Sequence, residues 1–324
     1  MSMTRVCLTR RLPEPIMHRL GELFTVIVPA QSERTLSRSE LIALAGDCEV
    51  LVPCLNDHIT AEVIDALPEL RLIANFGAGV DHIALAYAAA RDITVTNTPS
   101  VLTEDTADIA MALILAVPRR LGEGAQEIRQ NRWQGWSPMH LLGHRVHGKA
   151  LGIVGMGRIG QAVARRARGF GLKLHYFQRR RLHADVEVEL GAEYWPTLND
   201  MLQEMDIVTL HCPHTPETHR LIGAEQFRLM KPTSYLINTA RGALVHEQAL
   251  VHALEQGTIA GAGLDVYEHA PQIPEGLRNL PNVVLLPHIS SATIESRIEM
   301  GERVLINIRA FSDGHIPPDV VLVD

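Results

Sequence analysis

The sequence predicts an α/β protein made of two doubly wound domains, each built on a parallel sheet. Short β-branched runs alternate with longer segments of helical periodicity along nearly the whole chain, which is the pattern of βαβ units. The length of 324 residues is about twice that of a usual single domain. The apolar fraction of 46% and the charged fraction of 21% are ordinary globular values, which exclude a disordered or fibrous chain.

The first domain is predicted over residues 1–100 and is completed by the segment 292–324. The predicted strands are Val6–Thr9, Phe24–Val28, Val50–Cys54, Leu72–Phe76 and Ile93–Asn97, and the predicted helices are Glu14–Leu23, Ser39–Ala45 and Ala61–Leu67. Much later in the chain, Ala292–Phe311 has helical periodicity. We expect this last helix to return to the first domain, which would make that domain discontinuous.

The second domain is predicted over residues 101–291. It opens with a long helix, Thr103–Arg120, whose middle is apolar nearly all round, so we expect it to be buried between domains or at a subunit contact. Strands are predicted at Leu151–Val154, Leu172–Phe177, Asp206–His211, Ser234–Asn238, Gly261–Val266 and Val283–Leu286, and helices at Ile159–Phe170, Leu198–Glu204, Ala224–Arg228 and Glu247–Gln256.

A segment with two tryptophans separates the long helix from the first strand of the second domain. It spans Gln126–Val146 and contains Trp133, Trp136 and Pro138. Tryptophan is typical of protein interfaces. We therefore expect an arm that packs against another surface, such as a second subunit.

A glycine-rich turn directly follows the strand Leu151–Val154 and opens the next helix. Gly155, Gly157 and Gly160 form the pattern GxGxxG. The first glycine would permit a tight turn, the second would let a diphosphate approach the backbone, and the third would let helix and strand pack closely. In this context the pattern indicates a dinucleotide-binding Rossmann domain, with the diphosphate at the start of the helix.

The second strand of this domain should end with the residue that selects the cofactor. Chains that bind NAD place an acid there to bind the adenosine ribose, whereas this chain reads Gln178-Arg179-Arg180-Arg181. Loss of the carboxylate removes repulsion of a 2′-phosphate, and guanidinium groups can bind one bidentately. The sequence therefore favours NADP(H) over NAD(H). If the arginines form only a solvated surface run, the choice of cofactor stays undecided.

Five further motifs occur in order along the chain. They are Asn75–Asp81 (NFGAGVD), Thr106–Ile109 (TADI), Ile237–Gly242 (INTARG), Gly263–Val266 (GLDV) and Pro287–Thr293 (PHISSAT). Together with the glycine-rich turn they resemble the D-isomer-specific 2-hydroxyacid dehydrogenases, and most closely the glyoxylate/hydroxypyruvate reductase branch. Roughly the first seventy residues match that family only in their α/β character. The resemblance implies a Rossmann coenzyme domain and a flavodoxin-like substrate domain.

The resemblance also implies a reaction and a catalytic pair. Arg241 would hold the substrate carboxylate and polarise the keto oxygen, and His288 would give its proton to that oxygen as hydride arrives. The backbone N–H groups of Ala78 and Gly79 would also bind the carboxylate, and Leu55 would form a wall of a pocket between the domains. The implied reaction is the NADPH-dependent reduction of small 2-keto acids, glyoxylate or hydroxypyruvate, to D-2-hydroxy acids.

Further cofactor contacts carry over from the family by position. They join the glycine-rich turn and the arginine-rich strand end in one predicted cofactor site. The residues of that site are Thr106, Gly155, Gly157, Arg158, Ile159, Gly160, Gln178, Arg179, Arg180, Pro213, Thr239, Ala240, Asp265 and Ser290. At the last of these positions the family usually has glycine.

One catalytic position departs from the family. The family has a Glu directly before a proline that hydrogen-bonds the histidine, whereas this chain has Ala270 before Pro271. Without that carboxylate His288 should protonate less readily, unless Glu268 takes its place. A natural variant with altered pH dependence, an engineered alanine and a relative that has lost most catalysis all fit the sequence.

Composition limits the partners of this protein. The net charge of −7 and the absence of a long basic run in the sequence give no electrostatic footprint for nucleic acid or anionic lipid. The longest apolar stretch, Ile109–Val117, is too short to cross a bilayer. The N-terminal residues lack the apolar core of a signal peptide, so we expect a cytoplasmic protein that does not bind membranes.

Neither the cysteines nor the histidines indicate a metal. The four cysteines, Cys7, Cys48, Cys54 and Cys212, contain no CxxC pair and are expected to act as small buried apolar residues. His140, His144 and His147 have a spacing that could place them on one helical face. The neighbouring glycines at 143 and 148 instead favour a solvated connector, so no metal site is predicted.

A second class of function fits the same fold. A nucleotide-sensing interaction protein, similar to the C-terminal-binding corepressors, would keep the coenzyme domain and tolerate Ala270. The sequence shows no disordered extension and no evident peptide groove, which disfavours this alternative. Within the enzyme class, another acceptor such as phenylpyruvate, or phosphite as a donor, is a further alternative. A homodimer is the expectation from the family.

Overall fold

Two parallel sheets organise the chain, one of five strands and one of seven. The computed structural model describes residues 3–31 and 34–322. The first unit contains the described residues up to Leu102 and those from Ala292 onward, and the second unit is Thr103–Ser291. The boundary predicted after residue 100 therefore lies beside the observed division. The assignment of these units to substrate and coenzyme stays a prediction.

The sheet of the first unit has the strand order β2-β1-β3-β4-β5, which is the flavodoxin-like order. Its strands are β1 (Arg5–Leu8), β2 (Thr25–Ile27), β3 (Val50–Val52), β4 (Leu72–Ala74) and β5 (Thr94–Thr96). Its helices are α1 (Glu14–Leu23), α2 (Arg38–Ala45), α3 (Ala61–Asp65), α4 (Leu85–Ala90) and α13 (Ile294–Ser312).

The core of the first unit depends on the last helix of the chain. Strands β3 and β4 are buried at every residue, as expected for parallel strands covered on both faces. On one face of the sheet, α13 contributes four buried residues to the cluster that contains Val6, Leu8 and Val50: Met300, Val304, Leu305 and Ile308. The C-terminal helix therefore belongs to the first unit.

The sheet of the second unit has the order β12-β11-β10-β9-β6-β7-β8, with every neighbouring pair parallel. Its strands are β6 (Ala150–Val154), β7 (Lys173–Phe177), β8 (Ala192–Trp195), β9 (Ile207–Leu210), β10 (Tyr235–Asn238), β11 (Gly261–Leu264) and β12 (Val283–Leu285). This is the Rossmann order extended by one strand. The predicted fold class, two doubly wound α/β domains, is confirmed.

The helices of the second unit include three that were not predicted, and the first helix of the unit is shorter than predicted and packs differently. The helices of this unit are α5 (Thr103–Ala116), α6 (Leu121–Arg129), α7 (Arg158–Gly169), α8 (Ala184–Leu190), α9 (Leu198–Glu204), α10 (Ala224–Leu229), α11 (Glu247–Glu255) and α12 (Glu275–Asn279). The predicted long helix ends at Ala116, because Pro118 disfavours a helical conformation at the residue before it and lacks an N–H group. The apolar residues of α5 pack in the core of the second unit itself, where Ala110 and Ile114 join Leu151 and Ile153.

The arm predicted around the tryptophans begins as helix and continues without regular structure. After α6 the chain runs through Gln130–Val146 with turns but no further helix or strand. Its large apolar side chains are exposed, with 84% of Trp136 and 75% of Met139 accessible to solvent. Within the described residues, no helix is both long and apolar enough to cross a membrane.

Candidate active site

The glycine-rich turn has the shape that its spacing predicts. Gly155 has a φ of +93°, which glycine adopts without strain, and a Cβ there would come within 2.6 Å of the Cys212 amide nitrogen. A Cβ on Gly160 would overlap the carbonyl oxygen of Gly155. Next to Gly157, by contrast, no described atom outside the adjoining backbone lies within 4 Å of the position that a Cβ would occupy. The turn is therefore packed where glycine must pack and open where a ligand would approach.

Helix α7 presents the start of a helix to the open side of this turn. Gly157 caps the helix without a side-chain hydrogen bond, and the first turn contains no acidic residue. The free N–H groups and the dipole of such a helix favour an anion. Arg158 is exposed and Ile159 is half-buried in that first turn. These residues could hold a diphosphate.

The polar residues Gln178 to Arg181 directly follow β7 and make different contacts. The side-chain oxygen of Gln178 accepts the N–H of Met156 at 3.0 Å, so Gln178 stabilises the glycine-rich turn. Arg181 donates two hydrogen bonds of 2.9 Å to Glu187 and lies over the ring of Tyr194. Arg179 and Arg180 are exposed, and in the described part of the chain neither forms an ion pair or hydrogen bond through its side chain. These two guanidinium groups could bind a phosphate.

The chain after β9 passes directly beneath the glycine-rich turn. The N–H of His211 donates to Val154 at 2.8 Å, and its ring lies 2.8 Å from the Thr209 hydroxyl. Burial lowers the pKa of His211 to about 3, so the ring is neutral at physiological pH. Pro213 follows as the exposed start of the next loop, and its carbonyl accepts the Thr218 hydroxyl at 2.7 Å.

Arg241 stands in a turn that follows β10 and is held by the last residue of that strand. The buried Asn238 donates its amide to the Arg241 carbonyl at 2.9 Å and accepts the N–H of Ala240 at 3.0 Å. A short 3-10 turn, Gly242–Leu244, follows. A Cβ on Gly242 would overlap the carbonyl group of Tyr267. The backbone that carries Arg241 is therefore fixed from two sides.

His288 stands in a loop after β12 that is anchored by Asp265. The buried carboxylate of Asp265 accepts the N–H groups of Ile289 and Ser290 at 2.8 Å each, and the Ser290 hydroxyl as well. His288 itself has a φ of +57°, which is uncommon for a residue with a side chain. Thr239 lies two residues before Arg241 and is buried. Its hydroxyl has no hydrogen-bond partner among the described residues.

Glu268 binds two groups near the position where the carboxylate of the family is missing. One oxygen of Glu268 accepts the Arg220 guanidinium at 2.7 Å, and the other accepts the N–H of Glu247 at 3.2 Å. Ala270 is exposed two residues later. The alternative in which Glu268 serves His288 stays a prediction.

The second unit contains sixteen predicted site residues, and all of them except Thr106 follow the end of a strand. They follow the carboxyl ends of six strands of the parallel sheet, where the ligands of such folds bind. Thr106 is buried in the first turn of α5. The other fifteen are Gly155, Gly157, Arg158, Ile159, Gly160, Gln178, Arg179, Arg180, Pro213, Thr239, Ala240, Arg241, Asp265, His288 and Ser290.

The predicted substrate residues of the first unit also follow strand ends. Ala78 and Gly79 come after β4, and Leu55 comes after β3 and is half-buried. Asn75 donates to the carbonyls of Gly77 and Gly79 at 2.9 Å each. Within the part of the chain that the structure describes, the N–H groups of Ala78 and Gly79 make no hydrogen bond. They could bind a carboxylate.

Three anchoring residues were not predicted from the sequence. Asn238 and Asn75 hold the turns after β10 and β4, and Asp57 accepts the Cys54 N–H at 2.8 Å and the Thr9 hydroxyl in the loop after β3. All three are buried. The available signal is an Asn or Asp at or just after a strand, a residue type that commonly bonds its own turn.

Comparisons with known proteins point to one family. A family model described as D-isomer specific 2-hydroxyacid dehydrogenase, NAD binding domain, matches residues 111–290. The glyoxylate reductases of Korarchaeum cryptofilum and Thermococcus kodakarensis are both 48% identical over 98% of this chain, covering 95% and 96% of their own lengths.

A solved structure gives the same result. The crystal structure of an NADPH-dependent glyoxylate/hydroxypyruvate reductase from Sinorhizobium meliloti, in complex with NADP and malonate, superposes with a TM-score of 0.88 at 37% identity. The match covers 99% of this chain and 97% of that one. The full-length similarity, the strand orders and the ordered motifs agree. The chain belongs to the D-isomer-specific 2-hydroxyacid dehydrogenases.

Proposed function

We propose that this protein is an NADPH-dependent reductase of small 2-keto acids, with glyoxylate and hydroxypyruvate as the first substrates to test. The observation that carries the proposal is the common edge of the second sheet. Arg241 follows β10, His288 follows β12 and the glycine-rich turn follows β6, so a cation, an acid–base group and a dinucleotide turn share the carboxyl end of one parallel sheet. The names of the relatives support the same chemistry.

The residues at this edge fit a nicotinamide dinucleotide. The space beside Gly157 is open, the first turn of α7 lacks a competing acid, and the buried Thr239 hydroxyl lacks a partner in the described chain. Bound there, the cofactor would supply the hydride that the keto carbon must receive. The turn and the N-terminus of α7 would hold its diphosphate.

The protein's own residues would perform the remaining steps. Arg241 would bind the substrate carboxylate through paired N–H donors and draw electron density toward the keto oxygen. His288 would donate a proton to that oxygen as the alcohol forms, and would accept it in the reverse direction. The N–H groups of Ala78 and Gly79 would bind the same carboxylate, and Leu55 would line the substrate pocket.

We propose NADP(H) as the preferred cofactor because two guanidinium groups stand where a 2′-phosphate would bind. Arg179 and Arg180 are exposed, and Arg181 is engaged by Glu187. Gln178, which replaces the usual acid, bonds the glycine-rich turn and brings no negative charge. A solved relative named as NADPH-dependent, with NADP bound, supports this preference.

We further propose that the protein forms a homodimer through the arm. Trp133, Trp136, Met139 and Leu142 are all at least half exposed, and exposed aromatic and methionine side chains of this density are typical of interfaces. The alternative function, a nucleotide-sensing interaction protein, is not favoured, because the full-length relatives are named for an enzyme activity.

The test is a steady-state assay of the purified protein with NADPH and NADH at equal concentration. The acceptors are glyoxylate, hydroxypyruvate and phenylpyruvate, measured from pH 5 to pH 9. We expect oxidation of NADPH with glyoxylate or hydroxypyruvate, and a lower kcat/KM with NADH. No turnover with any acceptor would refute the reductase, and a tenfold preference for NADH would refute the cofactor assignment.

A further inference from the structure

Three charged side chains form a connected cluster behind the turn that carries Arg241. Glu268 accepts the Arg220 guanidinium at 2.7 Å and the N–H of Glu247 at 3.2 Å, while the Glu247 carboxylate accepts the N–H of Glu268 at 3.3 Å. We call Arg220, Glu247 and Glu268 the carboxylate clamp. It ties together three segments: the loop after β9, the start of α11, and the segment after β11 that contains Tyr267 and Glu268. We call this last segment the strap.

Each of these three segments contacts the turn that follows Arg241. The N–H of Arg220 donates to the carbonyl of Ala243 at 2.7 Å. A side chain at Gly242 would overlap the carbonyl group of Tyr267, so the strap lies directly against the turn. Glu247 begins the helix that follows the turn. The clamp therefore closes a ring of contacts around the backbone of residues 242–244.

The two carboxylates of the clamp are buried, whereas the side chain of Arg220 is 43% exposed. The side chain of Glu268 is 7% exposed and Glu247 is 5% exposed. Burial raises the pKa of Glu247, with repulsion from Glu268 adding to the effect. Burial also opposes ionisation of Glu268, yet the hydrogen bonds from Arg220 and from the backbone of Glu247 outweigh it and lower its pKa. The ionised form of Glu268 is therefore favoured, and it forms an ion pair with Arg220.

The turn is held by packing as well as by hydrogen bonds. It lies directly against the carbonyl group of Tyr267. The space lined by Asn238, Gly242, Glu247 and Glu268 is only about 10 Å³, about enough for one water molecule. The hydrogen bonds of the clamp and of Asn238 therefore act together with close packing to fix the turn.

We propose that Glu268 is a positioning residue, which fixes Arg241 for the substrate carboxylate by joining Arg220 and Glu247 around its turn. The inference rests on the proposed role of Arg241 as the carboxylate-binding group. Because a bidentate pair depends on the position of both nitrogens, a shift of the turn weakens substrate binding. The predicted contacts to the diphosphate and to the 2′-phosphate follow β6 and β7 and should be unaffected.

The test compares Glu268→Gln with the milder Arg220→Gln, whose site is partly exposed, and with the control Glu193→Gln, a surface change at the far strand β8. Two quantities are measured: the KM for glyoxylate, and the Kd of the cofactor-loaded protein for oxamate, an unreactive carboxylate analogue. We expect both to rise at least about tenfold in the two clamp variants. The Kd for NADPH should stay within about twofold, and the control should match the parent.

The outcomes separate this inference from the proposed function. A parent protein that binds oxamate tightly but reduces no keto acid would refute the reductase and leave the clamp supported, provided the clamp variants lose oxamate affinity. Clamp variants that fold and keep the parental KM and oxamate Kd would overturn the positioning role, even if their melting temperature falls. A parent that binds no oxamate would overturn it as well.

Discussion

Asp265 holds His288 in place through the backbone that follows it. Its carboxylate accepts the N–H groups of Ile289 and Ser290 at 2.8 Å each, while His288 has a φ of +57°. Unfavourable backbone conformations persist where the surrounding structure enforces them. The uncommon conformation of His288 is therefore maintained by a buried acid from a neighbouring strand end.

Replacing Asp265 with Asn should loosen this loop. The amide side chain offers one acceptor oxygen in place of two, so one buried N–H group loses its partner, at a cost of about 1–3 kcal/mol in the free energy of unfolding. We expect kcat/KM for the keto acid to fall by about 10–100-fold. Urea unfolding and steady-state kinetics measure the two effects. Asp185→Asn, the same change at an exposed position of α8, is the control; equal losses in both variants would contradict this account.

Replacing Ala270 with Glu should raise turnover. The resemblance to the family implies that a Glu at position 270 hydrogen-bonds His288, where its carboxylate would stabilise the imidazolium that donates the proton during reduction. Activity that declines as the imidazole deprotonates should then decline at a higher pH than in the parent. The pH–rate profile of kcat for glyoxylate reduction checks both effects. The control is Ala270→Gln, which matches the size without the charge and should leave the profile unshifted.

The cofactor preference should depend on two of the three consecutive arginines. Arg179→Gln and Arg180→Gln each remove a charge-assisted contact to the 2′-phosphate, worth about 1.5–3 kcal/mol. We expect the KM for NADPH to rise about tenfold or more in each, with the KM for NADH unchanged. Arg181→Gln is the matched control, because its guanidinium is bound to Glu187. A loss of NADPH preference in the control alone would reverse the assignment.

His211 should make the folded protein less stable as the pH falls. Its pKa is about 3 in the folded chain because of burial, whereas an unfolded histidine titrates at about 6.5. Between these pH values the imidazole is protonated in the unfolded state and neutral in the folded state. The free energy of unfolding therefore falls by about 1.4 kcal/mol per pH unit below pH 6.5. Urea unfolding at pH 7 and pH 5 should show this slope. His211→Gln should reduce it, and the surface change His252→Gln should not.

The arm should control the oligomeric state. Trp136→Ser and Met139→Ser remove the most exposed apolar side chains of the arm, and buried anchors of this kind contribute about 2 kcal/mol or more each. We expect sedimentation equilibrium to show a dimer whose dissociation constant rises about 30-fold or more in each variant. Phe170→Ser changes an exposed aromatic at the end of α7 and serves as control. A monomeric parent at micromolar concentration would refute the dimer.

Local sequence pattern predicted those parts of the fold that local physics determines. The helices Glu14–Leu23 and Leu198–Glu204 have the predicted limits, because their apolar spacing and the residues directly before them, Pro13 and Thr197, are local signals. The short polar helix α8 and the strand β8 after it were missed, since seven and four residues carry little periodicity. Helix α5 ends at Ala116, before the end that its apolar pattern predicted, because Pro118 disfavours a longer helix.

In the site, too, the features that depend on local sequence could be predicted, whereas those that depend on distant residues could not. The glycine-rich turn could be predicted because its three glycines meet steric demands within six residues of chain, from Gly155 to Gly160. The roles of Arg241 and His288 came from a resemblance and stay predictions. Their supports, Glu268 with Arg220 and Asp265 with Ser290, join residues 48 and 25 positions apart. Contacts at such separations depend on strand order, which spacing in the sequence does not encode.

The first unit takes part of its core from helix α13, which lies almost two hundred residues beyond the rest of that unit. During synthesis, the second unit emerges complete from the ribosome while the first unit still lacks α13. We therefore expect the second unit to fold first and the first unit to complete its folding once α13 is available. In the interval, the apolar side chains of β1 and β3 would be accessible to chaperones.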